Sequence, residues 1–196
     1  MYRTHNNGGL RAANIGETVT LSGWVQKSRD KGFMIWVDLR DRYGITQVRF
    51  DPAVSAAVHE AADRLRSEWV IGVRGTVVDR GENENTNLAT GAIEVEVTDL
   101  DIFNASETPP FQIADQCETG ENIRLQYRYL DLRRGPLQRN LILRHEISRI
   151  TRNYLSDHGF LDLETPILTK STPEGARDYL VPSRVHTSQF YALPQS

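Results

Sequence analysis

Three early segments of the chain alternate apolar and polar residues almost without exception. They are Thr18–Val25, Phe33–Arg40 and Thr46–Phe50. The middle segment is the most regular, because one of its faces carries Phe33, Ile35, Val37 and Leu39. A period of two is typical of a β-strand with one buried face. The pattern therefore predicts three consecutive half-buried strands.

The period then changes to that of a helix and changes back. Across residues 54–66 the apolar side chains lie along one helical stripe, made of Val54, Val58, Ala61 and Leu65. Strand character returns at Trp69–Val78 and Ile93–Val97. Three strands, a helix and two strands follow the order of an OB-fold, a five-stranded Greek-key barrel. We therefore predict an all-β OB-fold barrel of five strands plus one helix over residues 1–103.

The outward side chains of the second and third strands are candidates for nucleic-acid contact, because OB-folds bind oligonucleotides on that face. Trp36 lies on the polar side of its strand, where a nucleobase could cover its indole. Gln47 and Arg49 offer hydrogen bonds to base edges or phosphates, and Glu94 can accept one from an exocyclic amine. Basic residues expected in the first hairpin loop could hold phosphates; they are Lys27, Arg29 and Lys31.

The pattern leaves a second interpretation of Trp36 open, in which its ring packs beneath a loop or another domain. Trp24 and Trp69 lie in apolar stretches, so we expect them in the core.

The charge distribution argues against binding through bulk charge. Net charges are +4 for residues 1–50, −11 for residues 51–121 and +4 for residues 122–196, and they sum to −3. Nucleic-acid contact must then be local, although solvated faces without a partner are also compatible with these charges. Cys117 is the single cysteine, so an internal disulfide is excluded, and we expect no metal site, no membrane partner and, by default, a cytoplasmic protein.

The remaining residues predict a linker and a second unit. Residues 104–122 contain Pro109-Pro110 and Gly120, which indicates a linker. In residues 123–196, apolar residues at helical spacing predict a helix that ends at Gly159, and Phe160–Thr169 predicts a strand interrupted by Pro166. Tyr127–Arg134 is compatible with a salt-bridged, partly solvated segment. A unit of about 70 residues encloses little core alone, so we expect a truncated chain or pairing with another copy.

Two segments of the second unit carry a family resemblance. His158–Lys170 resembles motif 1 of the class II aminoacyl-tRNA synthetases. Ser171–Arg184 resembles the loop over the amino-acid pocket of the bacterial aspartyl-tRNA synthetases, and this loop differs in the asparaginyl and lysyl enzymes. The likeness runs from Arg3 to Ser196 and includes Ser22–Val25.

The resemblance implies a fold, an activity and partners. The barrel would read the anticodon, and residues 123–196 would begin an α+β class II catalytic domain. The activity would be ATP- and Mg-dependent charging of aspartate tRNA with L-aspartate through an aspartyl-adenylate, in a homodimer formed through motif 1, with no DNA partner. Motifs 2 and 3 lie beyond residue 196 in the family, so we expect no catalytic residue and no activity in this chain alone.

The resemblance also assigns site residues. Trp36 would stack on the middle anticodon base, and the other anticodon contacts would be Arg29, Gln47, Asn83 and Glu94. Glu174 and Ser196 would bind aspartate, and Pro166 would lie at the dimer interface. A free-standing RNA-binding OB-fold without catalysis is the alternative. Whether charging extends to asparagine tRNA stays open at this point.

Overall fold

The alternating segments form a closed barrel in the computed structural model, which describes residues 2–171 and 178–193. Its strands are β1 (Thr18–Asp30), β2 (Ile35–Arg40), β3 (Ile45–Phe50), β4 (Val70–Asp79) and β5 (Ile93–Asn104). They close in the order β1-β2-β3-β5-β4, antiparallel except for the parallel β3–β5 pair. Helix α1 (Ala56–Asp63) connects β3 to β4. The predicted OB-fold barrel is confirmed.

The inward faces of the strands make the core of the barrel. Buried side chains alternate along β2, where Ile35, Val37 and Leu39 are all at most 1% exposed. Helix α1 starts at its cap Ser55, whose side chain accepts a hydrogen bond from the backbone N–H of Val58. Ala62 of this helix and Leu65 after it are buried in the same core. Removing this apolar surface from water is the main stabilising contribution to the barrel.

Three expectations for the barrel are wrong in detail. Phe33 is 68% exposed and precedes β2 instead of sharing its buried face, because the chain is still turning at Gly32, which has a φ of +82°. Val54 precedes α1 and is 40% exposed. Lys27 and Arg29 belong to β1 and not to the hairpin loop, since β1 runs on to Asp30.

A close approach of two strands explains one glycine of the barrel. The register between β4 and β5 shifts at Arg74/Gly75. A Cβ on Gly75 would lie 2.1 Å from the backbone carbonyl oxygen of Glu96. Any larger residue at position 75 would therefore push the two strands apart.

The first of the two units into which the chain divides runs to residue 138. After β5 it contains the short helices α2 (Glu121–Gln126) and α3 (Arg128–Asp131) and a small apolar cluster of Phe111, Ile113 and Leu130. Within Tyr127–Arg134 the side chain of Asp131 is 1% exposed and forms ion pairs with arginines, namely Arg124, Arg128 and Arg134. Burial alone would raise the pKa of Asp131, but the hydrogen bond from Arg134 and the arginine charges lower it.

The second unit, residues 139–196, contains most of the long helix α4 (Gly135–Asp157) and a hairpin of β6 (Tyr179–Pro182) with β7 (Phe190–Leu193). The expected helix end is confirmed at Gly159, whose φ is +84°. The expected strand Phe160–Thr169 is wrong, because within the described ranges only Thr169 pairs with a strand residue, Ala192. Backbone without a hydrogen-bonding neighbour makes no strand, whatever its alternation. The hairpin was not predicted.

No helix within residues 2–171 and 178–193 is long and apolar enough to cross a bilayer.

Candidate nucleic-acid interface

A groove of about 540 Å³ lies on the outer face of the barrel, and we call it the barrel groove. All five side chains predicted to contact the anticodon line it. They come from β1, β2, β3, the segment after β4, and β5: Arg29, Trp36, Gln47, Asn83 and Glu94. The fold thus brings together residues as far apart in sequence as positions 29 and 94.

Five further residues line the barrel groove. Lys31 and Arg49 were general candidates for nucleic-acid contact, whereas no binding role was predicted for Phe33, Asp79 or Arg80. Asp79 ends β4, and its carboxylate accepts a hydrogen bond from the backbone N–H of Gly81 at 2.9 Å. Gly81 starts a 3₁₀ turn, Gly81–Asn83, which presents the exposed Asn83 at the edge of the groove.

Trp36 is half-buried on the outer side of β2, between the buried Ile35 and Val37 of the inner side. Its ring meets that of Phe33 edge to face, with centroids 6.5 Å apart and an interplanar angle of 88°. Aromatic pairs favour this edge-to-face arrangement at this separation, and Phe33 is still 68% exposed. The barrel groove therefore contains an indole with a largely exposed aromatic neighbour, a surface on which a base can stack.

The other two tryptophans lie outside the barrel groove. Trp24 is half-buried rather than a core residue, and the guanidinium of Arg133 lies 4.7 Å from its ring centroid. Trp69 is also half-buried, packs against the core and donates its indole N–H to the carbonyl of Ser106 at 3.1 Å. The expectation that both are core residues is wrong for Trp24 and holds in part for Trp69.

Arg29 is held by a carboxylate on the adjacent strand. Its two terminal nitrogens donate to the two oxygens of Asp38 at 2.7 and 2.6 Å. The hydrogen bond with Asp38 raises the pKa of Arg29, so its guanidinium stays charged. One of the same nitrogens also donates to the Oε1 of Gln47 at 3.0 Å.

Gln47 and Glu94 continue the hydrogen bonding across the barrel groove. The Nε2 of Gln47 donates to the Oε2 of Glu94 at 2.6 Å. The Nη1 of Arg49 donates to the Oε1 of the same Glu94 at 2.9 Å. The second terminal nitrogen of Arg49 pairs with Glu96. The side chain of Glu94 is 7% exposed, and a polar group so buried is stable only with hydrogen-bond partners such as these.

The resemblance also assigned three residues that are not among those lining the barrel groove. Pro166 is exposed and lies in the second unit. Glu174 and Ser196 lie outside the residues that the structure describes.

Two family models match the chain. Residues 19–103 match the OB-fold nucleic acid binding domain, and residues 120–196 match class II tRNA synthetases (D, K and N).

Relatives are similar over the whole chain. The aspartate–tRNA(Asp/Asn) ligase of Desulfatibacillum aliphaticivorans is 58% identical over 197 residues, which cover 100% of this chain and 33% of that protein. The aspartate–tRNA ligase of Flavobacterium psychrophilum is also 58% identical, over 100% of this chain and 34% of its own length. The chain thus spans about a third of the length of these relatives.

A solved structure has the same fold. The asparaginyl-tRNA synthetase of Pyrococcus horikoshii superposes with a TM-score of 0.80 at 22% identity, covering 100% of this chain and 43% of that one.

Proposed function

The chain belongs to the aspartyl-tRNA synthetase family, as an amino-terminal part with an OB-fold domain and the start of a class II domain, and we propose that its barrel groove binds the anticodon of aspartate tRNA. The observation that carries the proposal is the convergence of Arg29, Trp36 and Glu94, with two further assigned residues, on one groove. These side chains come from separate elements, so their sequence positions alone do not require them to meet.

The chemistry of the barrel groove suits an unpaired base. The exposed side of Trp36 offers a stacking surface, and stacking is sequence-tolerant, so selectivity must come from hydrogen bonds. Arg29 can donate to a base, and the carboxylate of Glu94 has lone pairs left to accept from a base N–H. The two bonds of Gln47 fix which side of its amide accepts and which donates. Lys31 and Arg80 add positive charge for backbone phosphates.

We propose that the whole enzyme charges aspartate tRNA in the cytoplasm, using ATP and Mg²⁺ through an aspartyl-adenylate. Glu174 and Ser196 would contact the aspartate. Within the described ranges no group of three or more His, Cys, Asp or Glu side chains could hold a metal ion. The described residues therefore offer no site that fits Mg²⁺.

We further propose a homodimer through the second unit, with Pro166 at the interface. No residue of α4 is buried, and its exposed apolar side chains include Ile147, Ile150 and Tyr154. The segment after it is similar, since Leu161 is 82% exposed and Leu163 74%. A helix and a following segment with this many exposed large apolar side chains indicate a surface that another part of the assembly covers. Sedimentation equilibrium should show association that weakens when Ile150 is replaced by Asp.

The anticodon proposal is tested by measuring the affinity of the chain for stem–loop RNAs. One RNA carries the aspartate anticodon GUC, one the asparagine anticodon GUU, and one has its middle base changed to give GAC. Tighter binding of GUC than of GAC supports the proposal, and equal binding of all three contradicts it. Comparison of GUC with GUU also measures whether the groove separates aspartate from asparagine tRNA.

A further inference from the structure

The barrel groove contains one unbroken line of paired polar side chains, which we call the groove network. It runs across β1, β2, β3 and β5 in the order Asp38, Arg29, Gln47, Glu94, Arg49, Glu96. Three of these residues are the assigned reading residues Arg29, Gln47 and Glu94. Asp38 and Glu96 end the network, and Arg49 lies between Glu94 and Glu96. None of these three was assigned to an anticodon base, although Arg49 was a general candidate for nucleic-acid contact.

Asp38 fixes the plane of Arg29. Because both of its oxygens accept from the two terminal nitrogens of Arg29, the pairing is a fork that allows the guanidinium a single orientation. The side chain of Asp38 is 19% exposed and that of Arg29 32%, so the arginine keeps access to the groove while its carboxylate partner lies deeper. An arginine without such a partner would sample many rotamers before meeting a base.

Arg49 orients Glu94 as Asp38 orients Arg29. Its two terminal nitrogens are divided between Glu94 and Glu96, on the neighbouring strand β5. The parallel register pairs Arg49 with Glu96, which brings all three side chains to one side of the sheet. With both terminal nitrogens engaged, Arg49 is poorly placed to bind a phosphate, and its hydrogen bond instead orients the buried carboxylate of Glu94.

Gln47 joins the two halves. Its Oε1 accepts from Arg29 and its Nε2 donates to Glu94. A change in the orientation of Arg29 or Glu94 would therefore alter the hydrogen bonding of the other through Gln47.

We propose that Asp38 and Arg49 are positioning residues, which hold Arg29 and Glu94 in the orientation needed to read an unpaired base. This inference rests on the anticodon-binding function proposed above. Neither residue touches the base itself. Their contribution is to reduce the rotamer freedom that binding would otherwise remove.

Asp38→Asn gives the sharpest test, because electrostatics and positioning predict changes in RNA affinity of opposite sign. Removing a negative charge should strengthen binding to a polyanion if charge alone matters. If Asp38 positions Arg29, affinity for the GUC stem–loop should instead fall by roughly five- to tenfold, within the range of couplings seen for contacting residues. In an Arg29→Ala background the same substitution should change affinity less than twofold. Asp38→Glu, which keeps the charge but moves it by one methylene, should lose part of the affinity too.

Arg49→Gln is tested through the salt dependence. A residue that contacts a phosphate reduces the slope of log affinity against log salt by about 0.7 when it is removed. A positioning residue lowers affinity and leaves the slope unchanged. Arg74→Gln and Asp101→Asn are matched controls, because both residues are exposed on the same barrel and outside the barrel groove. Circular dichroism of each variant establishes that the barrel is folded.

The inference is overturned if Asp38→Asn binds as tightly as the wild type or more tightly, if its effect adds to that of Arg29→Ala, or if Arg49→Gln makes the salt slope shallower. Failure of the proposed function gives a different result. In that case the Arg29→Ala variant would bind the GUC stem–loop as tightly as the wild type does, and the wild type would bind GAC as tightly as GUC. If only the positioning role fails, both of these affinities would still be weaker than that of the wild type for GUC.

Discussion

Replacing Trp36 by alanine tests the stacking surface of the barrel groove directly. The free energy of unfolding should change by no more than about 1 kcal/mol, because Trp36 is half-buried on the outer side of β2 and the core beneath it is formed by Ile35 and Val37. Affinity for the GUC stem–loop should fall by far more. One stacked base contributes about 1–3 kcal/mol, which corresponds to a loss of roughly five- to 150-fold.

The assay is fluorescence anisotropy of a labelled GUC stem–loop at fixed salt. Trp36→Phe keeps an aromatic face and should stay within a few-fold of the wild type. Tyr43→Ala is the matched control, since Tyr43 is an aromatic residue 51% exposed on the same barrel and outside the groove lining. Tryptophan fluorescence gives a second readout, because a base stacked on Trp36 should quench emission that Trp36→Phe no longer contributes.

Stacking of a base on Trp36 is refuted if folded Trp36→Ala binds the stem–loop within twofold of the wild type at low salt. It is also refuted if Tyr43→Ala weakens binding as much as Trp36→Ala does, since the loss would then not belong to the groove.

Three other predictions concern salt, acid and packing. Affinity for the stem–loop should fall with salt with a slope of about −0.7 per phosphate neutralised, and a flat dependence measured by anisotropy would exclude phosphate contacts. The folded-state pKa of Asp131 lies below its unfolded value of about 4, so its contribution to stability is present above pH 4 and is lost as pH falls through the lowered pKa. Urea titrations should therefore show that Asp131→Asn is destabilised near pH 7, and that its deficit against the wild type shrinks below pH 4; an unchanged deficit at pH 2 would contradict this. Gly75→Ala should lower the free energy of unfolding by about 1–3 kcal/mol, because its Cβ would meet the Glu96 carbonyl. Gly120→Ala is the control and should change the free energy of unfolding little, because a Cβ there meets open space. Equal unfolding midpoints for the two variants would contradict this prediction.

Alternation predicts a strand correctly where the backbone has a neighbouring strand with which to form hydrogen bonds. The prediction is wrong where that neighbour is missing. β2 and β3 are found close to where the alternation places them. Phe33 continues the same alternation but precedes the hydrogen-bonded ladder, so it points to solvent. Phe160–Thr169 alternates as well and forms no strand, because most of its backbone has no adjacent strand within the described residues.

Local pattern also predicts some of the groove residues and not others. Outward positions such as Trp36 and Gln47 follow from counting along a strand. Asn83 was reached only through the family resemblance, since nothing in its local pattern distinguishes it from other polar loop residues. The exposed Phe33 was misassigned to the core, although its place next to a hairpin turn at Gly32 was a signal that the strand had not yet begun.

The sequence by itself determined the barrel, its helix and the outward side of its second strand, because these depend on local period and on the order of elements. Only the tertiary structure decided that Asp38 clamps Arg29 and that Arg49 is shared between Glu94 and Glu96. Those pairs join residues up to 47 positions apart through the register of closed strands, including one parallel pair. Register is set by the closure of the whole barrel, and no local pattern of residues contains it.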